Sequence, residues 1–364
     1  MSKFYNLNAI SKKDATYNVI FGERSNGKTY ALLKQGVINY LKTGGQMAYV
    51  RRWKEDITGR RASRLFSALC ENGEISKLSD DKFSGVHYWA GKFYLCNYDD
   101  NGKPIFSDLD IICFTFSLSD GEHDKSTSFP SITTVVFDEF LTNKIYLNDE
   151  FVAFMNTIST IVRKRDNVKI YMLGNTVNKY CPYFAEMGLE HIPKQKQGTI
   201  DLYRYGDSKL TVAVEYCASV QDRNSPTVNK YFAFNNPKLQ MITGGAWELS
   251  IYPHLPYKYK PKDIILTYFI EFNDNVYQCE VIELDDIYFT YIHSKTTPIK
   301  DPDEYLIYSM DYNPKLNYNR NIHKPMNKLQ SRILWFFTHN RVFYQNNNIG
   351  DAIKNCLKVM ANGN

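Results

Sequence analysis

The sequence predicts an α/β fold built on a mainly parallel sheet, followed by a smaller α+β domain, and three observations predict it. Through the first half of the chain, short β-branched and aromatic runs alternate with helical periodicities. Two of those runs end in residues suited to phosphate and metal chemistry: Phe21-Gly22 opens a Gly-containing loop, and Phe137-Asp138-Glu139 closes on adjacent carboxylates. Beyond residue 246 the pattern becomes strands broken by tight polar turns, the grammar of antiparallel hairpins.

Tyr17-Asn18-Val19-Ile20-Phe21 is the first strand. It enters Gly22-Glu23-Arg24-Ser25-Asn26-Gly27-Lys28-Thr29, which fits the P-loop pattern of Gly, four residues, then Gly-Lys-Ser/Thr. A Gly-rich turn lets several backbone N–H groups converge on the β- and γ-phosphates of ATP, with the positive end of the next helix behind them. Lys28 supplies charge to those oxygens, and the Thr29 hydroxyl is offered to Mg²⁺. Tyr30, Leu33, Val37, Tyr40 and Leu41 recur at helical spacing, and Thr43-Gly44-Gly45 ends that helix.

The next strand, Gln46-Met47-Ala48-Tyr49-Val50, runs into Arg51-Arg52-Trp53-Lys54. Ligands gather at the carboxyl edge of a parallel sheet, so Arg51, Arg52 and Lys54 are candidates for contacting nucleotide or a DNA backbone, the alternative being a solvated turn. Residues 55–110 combine a helix over 60–69 with a hairpin around Ala90-Gly91, an insertion beside the nucleotide sheet. A buried strand over 110–116 follows, then a polar loop over 117–128 in which Lys125 is the strongly phosphate-seeking residue.

Thr133-Thr134-Val135-Val136-Phe137-Asp138-Glu139 has the Walker B form. Asp138 is the expected metal residue and Glu139 the general base; a second carboxylate favours hydrolysis, because a phosphotransferring kinase need not activate water. Together the two motifs predict a P-loop ATPase of the ASCE type. A helix from Asp149 places Phe151, Phe154, Met155, Ile158, Ile161 and Val162 in the core, and Arg163-Lys164-Arg165 ends it. Lys169-Ile170-Tyr171-Met172-Leu173 is another strand, with Asn175 at its tip as candidate phosphate sensor. Arg163 or Arg165 is a candidate arginine finger for a neighbouring subunit's site, the alternative being a basic helix end favoured by the helix dipole.

The ATPase domain is expected over residues 1–197. Residues 198–245 add a last strand or two and then a connector containing Asp222-Arg223-Asn224-Ser225-Pro226 and Thr243-Gly244-Gly245. The C-terminal α+β domain spans 246–364, beginning near Trp247, with turns at Asn273-Asp274-Asn275 and Asp285-Asp286. Lys315, Arg320, Lys324, Lys328 and Arg332 lie among aromatics there, before an apolar helix near 333–337.

The formal charge of +5 permits a nucleic-acid partner through local patches without arguing for one. Seven scattered cysteines with no Cys-x-x-Cys pair suggest neither a disulfide framework nor a zinc site. No charged-then-apolar leader or membrane-length apolar run is present, so a soluble intracellular protein without a membrane partner is expected.

With these motifs placed, residues 15–190 resemble the DNA-encapsidation ATPases of small short-tailed phages, relatives of the large terminases. The likeness extends to Lys125-Ser126 leading through Phe129-Pro130 into the Walker B strand and Phe140, and to Ile161-Val162-Arg163-Lys164-Arg165 leading through Leu173-Gly174-Asn175-Thr176 to Asn178 and Pro182-Tyr183-Phe184. The resemblance implies a homomeric ring, of five subunits, docked on the portal of an empty capsid and driving double-stranded DNA inward, with room for a structural RNA. It places the protein in the host cytoplasm and transiently on the procapsid. It also implies that Lys28 and Thr29 bind phosphate and Mg²⁺, that Glu139 is the base, that Arg163 rather than Arg165 is the trans finger, and that Lys125 is a second trans-acting cation. The family's C-terminal domain resembles an RNase H-like nuclease. Here Glu271, Asp274, Glu280, Glu283, Asp285 and Asp286 fall mostly at turns rather than converging, so a vestigial fold that binds DNA or the portal is expected. The competing readings are another ring-forming DNA translocase or helicase, and a nucleotide-switched assembly protein, which would not require Glu139.

Overall fold

The computed structural model describes residues 5–120, 127–142, 146–147, 149–176, 181–218, 252–285 and 287–362. The chain divides into two units, one comprising Met1–Thr142, Glu150–Val177 and Tyr183–Glu248, the other Asn143–Asp149, Asn178–Pro182 and Leu249–Asn364.

The first unit is built on a ten-stranded sheet. Its centre is parallel: β1 (Tyr17–Gly22), β2 (Gln46–Arg51), β6 (Ile111–Ser117), β7 (Ile132–Asp138), β8 (Lys169–Asn175) and β10 (Thr211–Tyr216) lie in the order β6-β2-β7-β8-β1-β10. β8 therefore stands between the strand that enters the P-loop and the strand that ends in the two carboxylates. Each of β1, β2, β7 and β8 is largely buried, which is why their sequences read as continuous apolar runs.

One edge of this sheet differs from expectation. The hairpin of β3 (Gly85–Trp89) and β4 (Lys92–Tyr98) is not an insertion beside the sheet. β4 pairs with β6, and the short β5 (Pro104–Ile105) pairs with β4. Phe93 packs its ring 5.0 Å from Phe66, so the hairpin's apolar face belongs to the same core. At the other edge lie the strands expected after residue 197: β9 (Thr199–Arg204) pairs with β10, and β10 adds in parallel to β1. The connector positions 222–226 and 243–245, and Trp247, lie outside the described residues.

Seven helices of this part of the chain are described: α1 (Asn8–Ser11), α2 (Lys28–Thr43), α3 (Gly59–Ser63), α4 (Ser67–Glu71), α5 (Glu74–Leu78), α6 (Glu150–Val162) and α7 (Pro182–Glu186). The helix expected over 60–69 is two pieces. The Leu65 and Ser67 N–H groups reach back only three residues, to the Ala62 and Arg64 carbonyls, and this tighter winding lets Ala62, Phe66 and Leu69 all face the core. In α6, Phe154, Ile158 and Ile161 are buried, and Phe154 stacks on Phe137 at 5.0 Å. Met155 is 37% exposed rather than core, being one helical step of about 100° away from that inward stripe.

The second unit is a six-stranded sheet in the order β15-β14-β11-β12-β13-β16. β11 (Ile264–Phe272), β12 (Asn275–Leu284) and β13 (Ile287–Lys295) form the expected antiparallel meander. The short β14 (Ile307–Ser309), β15 (Tyr318–Asn319) and β16 (Val342–Tyr344) join it in parallel, so the sheet is mixed. α8 (Lys328–Thr338), capped by the Asn327 side chain accepting from the Gln330 N–H, and α9 (Asn347–Asn362) bury Ile333, Phe336, Ile353 and Cys356 against Tyr268, Ile270, Cys279 and Ile292. Among the described residues, no helix is long and apolar enough to cross a membrane.

Candidate nucleotide site

β1 delivers Gly22 to the carboxyl edge of the sheet, where a Cβ would lie 2.8 Å from the Cys217 Cβ, so only glycine lets the loop leave there. Gly27 takes φ +93° just before α2, a backbone conformation open to glycine, and sets the helix N-terminus behind the loop. Lys28 is 6% exposed. Its Nζ donates to the Glu23 carbonyl at 2.7 Å, Asn26 Oδ1 at 3.1 Å and Asn175 Oδ1 at 3.4 Å. All three acceptors are neutral. Burial accordingly lowers the Lys28 pKa, partly offset by the charges of Cys217, Asp138 and Glu23.

Thr29 Oγ1 donates to Asp138 Oδ2 at 3.0 Å, joining the two motifs. Asp138 is 8% exposed and also accepts from the Tyr49 hydroxyl at 2.7 Å, while its Oδ1 takes the Glu139 N–H at 2.9 Å. Burial first, and then the Asp138 charge, push the Tyr49 pKa well up, which keeps that hydroxyl a donor. Tyr49 escaped sequence reasoning. Its signal was a single polar atom in an apolar strand, immediately before the cationic cluster.

The three candidate cations after β2 part company. Arg51 stays in the site: its Nη2 lies 2.7 Å from Glu139 Oε2 and 3.5 Å from Asp56 Oδ2. Burial alone would lower its pKa, but Tyr49, Glu139 and Asp138 more than offset this and raise it. Arg52 is 5% exposed and is no DNA contact: it is paired with Glu150 inside the unit. Lys54 is on the surface, 2.6 Å from Asp120, which raises its pKa. Glu139 has φ +58°, and its side chain is 57% exposed.

Asn175 ends β8 opposite Gly22 in register, and the next residue's N–H bonds the Gly22 carbonyl at 3.0 Å, so the candidate sensor is zipped onto the P-loop. Arg165, the other candidate finger, turns inward. All five of its guanidinium N–H groups are committed to carbonyls: Nε to Val162, Nη1 to Pro130 and Ile132, Nη2 to Phe129 and Ile161, at 2.6–3.2 Å. Arg163, two residues earlier, is exposed with φ +39° at the end of α6. Lys125 lies outside the described residues.

The family model for the podovirus DNA encapsidation protein (Gp16) matches residues 1–204. The chain belongs to that family. Among known encapsidation-family relatives, the DNA packaging protein of Bacillus phage phi29 is 27% identical over 191 residues, which is 52% of this chain and 51% of the relative. That of Bacillus phage B103 is 28% identical over 179 residues, 48% of this chain and 49% of the relative. The chain thus spans about half the length of the curated relatives it matches. Two solved structures share the fold along nearly the whole chain. The phi-28 gp11 DNA packaging motor gives a TM-score of 0.61 at 17% identity, covering 99% of this chain and 98% of that one. The phi-29 viral genome packaging motor assembly gives 0.60 at 20% identity, covering 99% and 100%.

The chain's own residues fit a magnesium nucleotide. A buried ammonium held by neutral oxygens is left with net positive charge that an anion would compensate. The Thr29 hydroxyl and Asp138 carboxylate are hard oxygen donors of the kind that magnesium takes.

Proposed function

We propose that this protein hydrolyses ATP with magnesium in a homomeric ring, of five subunits, docked on the capsid portal, and so drives double-stranded viral DNA into a preformed capsid. The observation that carries the reading is the 3.0 Å bond from Thr29 Oγ1 to Asp138 Oδ2 beside a P-loop lysine that is buried among neutral oxygens. Lys28 holds the β- and γ-phosphoryl oxygens with charge, and the loop's N–H groups orient them. Magnesium, held by Thr29 and Asp138, would neutralise charge developing on those oxygens. Glu139, its carboxylate exposed and flanked by Arg51, accepts the proton of the attacking water. Asn175, bonded to Lys28, reports the γ-phosphate to β8. Arg163 is the trans finger, because the exposed end of α6 carries it while its neighbour Arg165 is committed inward.

Steady-state ATPase activity with and without double-stranded DNA, in the wild type, Lys28→Ala and Glu139→Gln, tests this. DNA-stimulated turnover that falls about 100-fold or more in both variants is expected. Substantial turnover in Glu139→Gln would remove the base assignment, and no wild-type turnover under any condition would favour the nucleotide-switch reading.

A further inference from the structure

Arg52 directs its guanidinium to two destinations. Nε and Nη2 meet Glu150 Oε2 and Oε1 at 2.6 and 2.8 Å, and Tyr183 donates its hydroxyl to the same Oε1 at 2.9 Å. Nη1 and Nη2 also donate to the main-chain carbonyls of Glu139 and Phe140, at 3.2 and 2.8 Å. The Glu150 side chain is 0% exposed. A fully buried ion pair is a poor device for stability alone, since well-packed apolar side chains of similar volume generally do as well. What apolar side chains cannot do is hold two peptide carbonyls.

Those two carbonyls belong to the peptides on which the placement of Glu139 depends. Glu139 sits at φ +58°, which a side-chain-bearing residue adopts only when its surroundings impose it. The surroundings grip this segment from three directions. Asp138 Oδ1 takes the Glu139 N–H, the Leu173 carbonyl takes the Phe140 N–H at 3.1 Å, and Arg52 takes both carbonyls. Gly174 has no room for a Cβ, which would lie 3.0 Å from Phe140 Cε1 and 2.9 Å from Leu141 Cδ1, so the β8 tip is seated directly on the segment. Without Arg52 both carbonyls lose their hold, which leaves the two N–H bonds alone to resist relaxation towards extended backbone.

We infer that Arg52, itself held by Glu150 and Tyr183, is a positioning residue that locks the backbone of Glu139 and thereby aims the general base. The inference rests on the proposed role of Glu139. It makes a buried cation of the first unit a determinant of kcat while leaving nucleotide binding to the P-loop.

The test is the full-length double variant Arg52→Met with Glu150→Met, which removes the grip without stranding a buried charge. Three readouts are compared with wild type: kcat and KM for ATP, affinity for a fluorescent ADP analogue, and amide exchange over residues 139–141. Expected are a fall in kcat of at least about tenfold, KM and ADP affinity within about threefold, and exchange faster by about tenfold or more. Arg52→Lys, with one point charge in place of a fork, should fall between the two. A folded double variant with wild-type kcat and wild-type exchange would overturn the inference. If the double variant does not fold, Tyr183→Phe decides: reduced kcat at unchanged KM supports the grip, and unchanged kcat refutes it. Should the wild type show no turnover, the ATPase proposal fails, and the exchange comparison still decides whether Arg52 locks the turn.

Discussion

The first unit's sheet collects its polar side chains at one edge, whereas the second unit's sheet distributes them. In the parallel centre, β1, β2, β7 and β8 all finish on the same side, so Lys28, Thr29, Arg51, Asp138, Glu139 and Asn175 form one bonded group although they come from four places in the chain. In the meander, successive ends alternate. Asp274 and Asp285 mark turns at opposite ends of β12, a strand of ten residues and so about 30 Å long. Glu280, in mid-strand, already accepts from Tyr259 and Gln278 and pairs with His293, and Glu283 accepts from Tyr288. Asp149 does lie near Asp311 and Asp274, whose charges, after burial, raise its pKa, yet among the described residues no three metal-binding side chains are placed to hold an ion. Strand direction, more than the supply of carboxylates, decides which sheet has a site.

Removing one carboxylate from each sheet should break the symmetry most sharply. On the proposed reading, Asp138→Asn should lower ATP turnover about 1,000-fold with the fold retained, because it would take away the charged donor for magnesium. Glu280→Gln should leave turnover within about twofold of wild type. Titrating magnesium in steady-state assays of both variants checks this, and a strong loss in Glu280→Gln would tie the second sheet to the chemistry.

A smaller contrast lies inside the first unit. On the proposed ring reading, Arg163→Ala should lower turnover about 100-fold, a larger effect on activity than on stability. Arg165→Ala, by orphaning carbonyls that its five N–H groups now satisfy, should destabilise the fold by about 2–4 kcal/mol in denaturant titrations. A silent Arg163→Ala beside a stable but inactive Arg165→Ala would reverse the assignment.

These contrasts also mark how far the sequence could be read. The P-loop and the Asp138-Glu139 pair were legible because each is contiguous, and a strand-loop-helix context can be checked within 30 residues of it. The β11–β13 meander was legible from its turns. Partnerships across the sheet were not. Nothing local tells that Arg51 faces Glu139, 88 positions later, or that Arg52 turns inward to Glu150, 98 positions later. Arg163 and Arg165 are equivalent as letters, and only the way α6 ends sends one outward and the other into a ring of carbonyls. Strands of two or three residues, such as β14, β15 and β16, are too short to carry a period and are fixed by the sheet that receives them.

The weakest expected effect concerns the second sheet's own polar cluster. Glu280 hydrogen-bonds His293 and raises its pKa above the ordinary 6.5, against opposing contributions from burial and Lys295. Burial pushes the Glu280 pKa up, but the bonds from His293, Tyr259 and Gln278 outweigh it, and the carboxyl ends below its ordinary 4.5. A raised histidine contributes stability that is fully present below pH 6.5 and lost as pH rises through its folded value. A lowered carboxyl contributes stability present above pH 4.5 and lost as pH falls through its folded value. The pair therefore stabilises most between pH 4.5 and 6.5. With His293 partly exposed, the effect should stay near or below about 1 kcal/mol. His293→Gln should therefore lower the melting temperature by about 1–3 °C more at pH 5.5 than at pH 8.5. An equal deficit at both pH values would mean that His293 acts through packing against Tyr291 rather than through its charge.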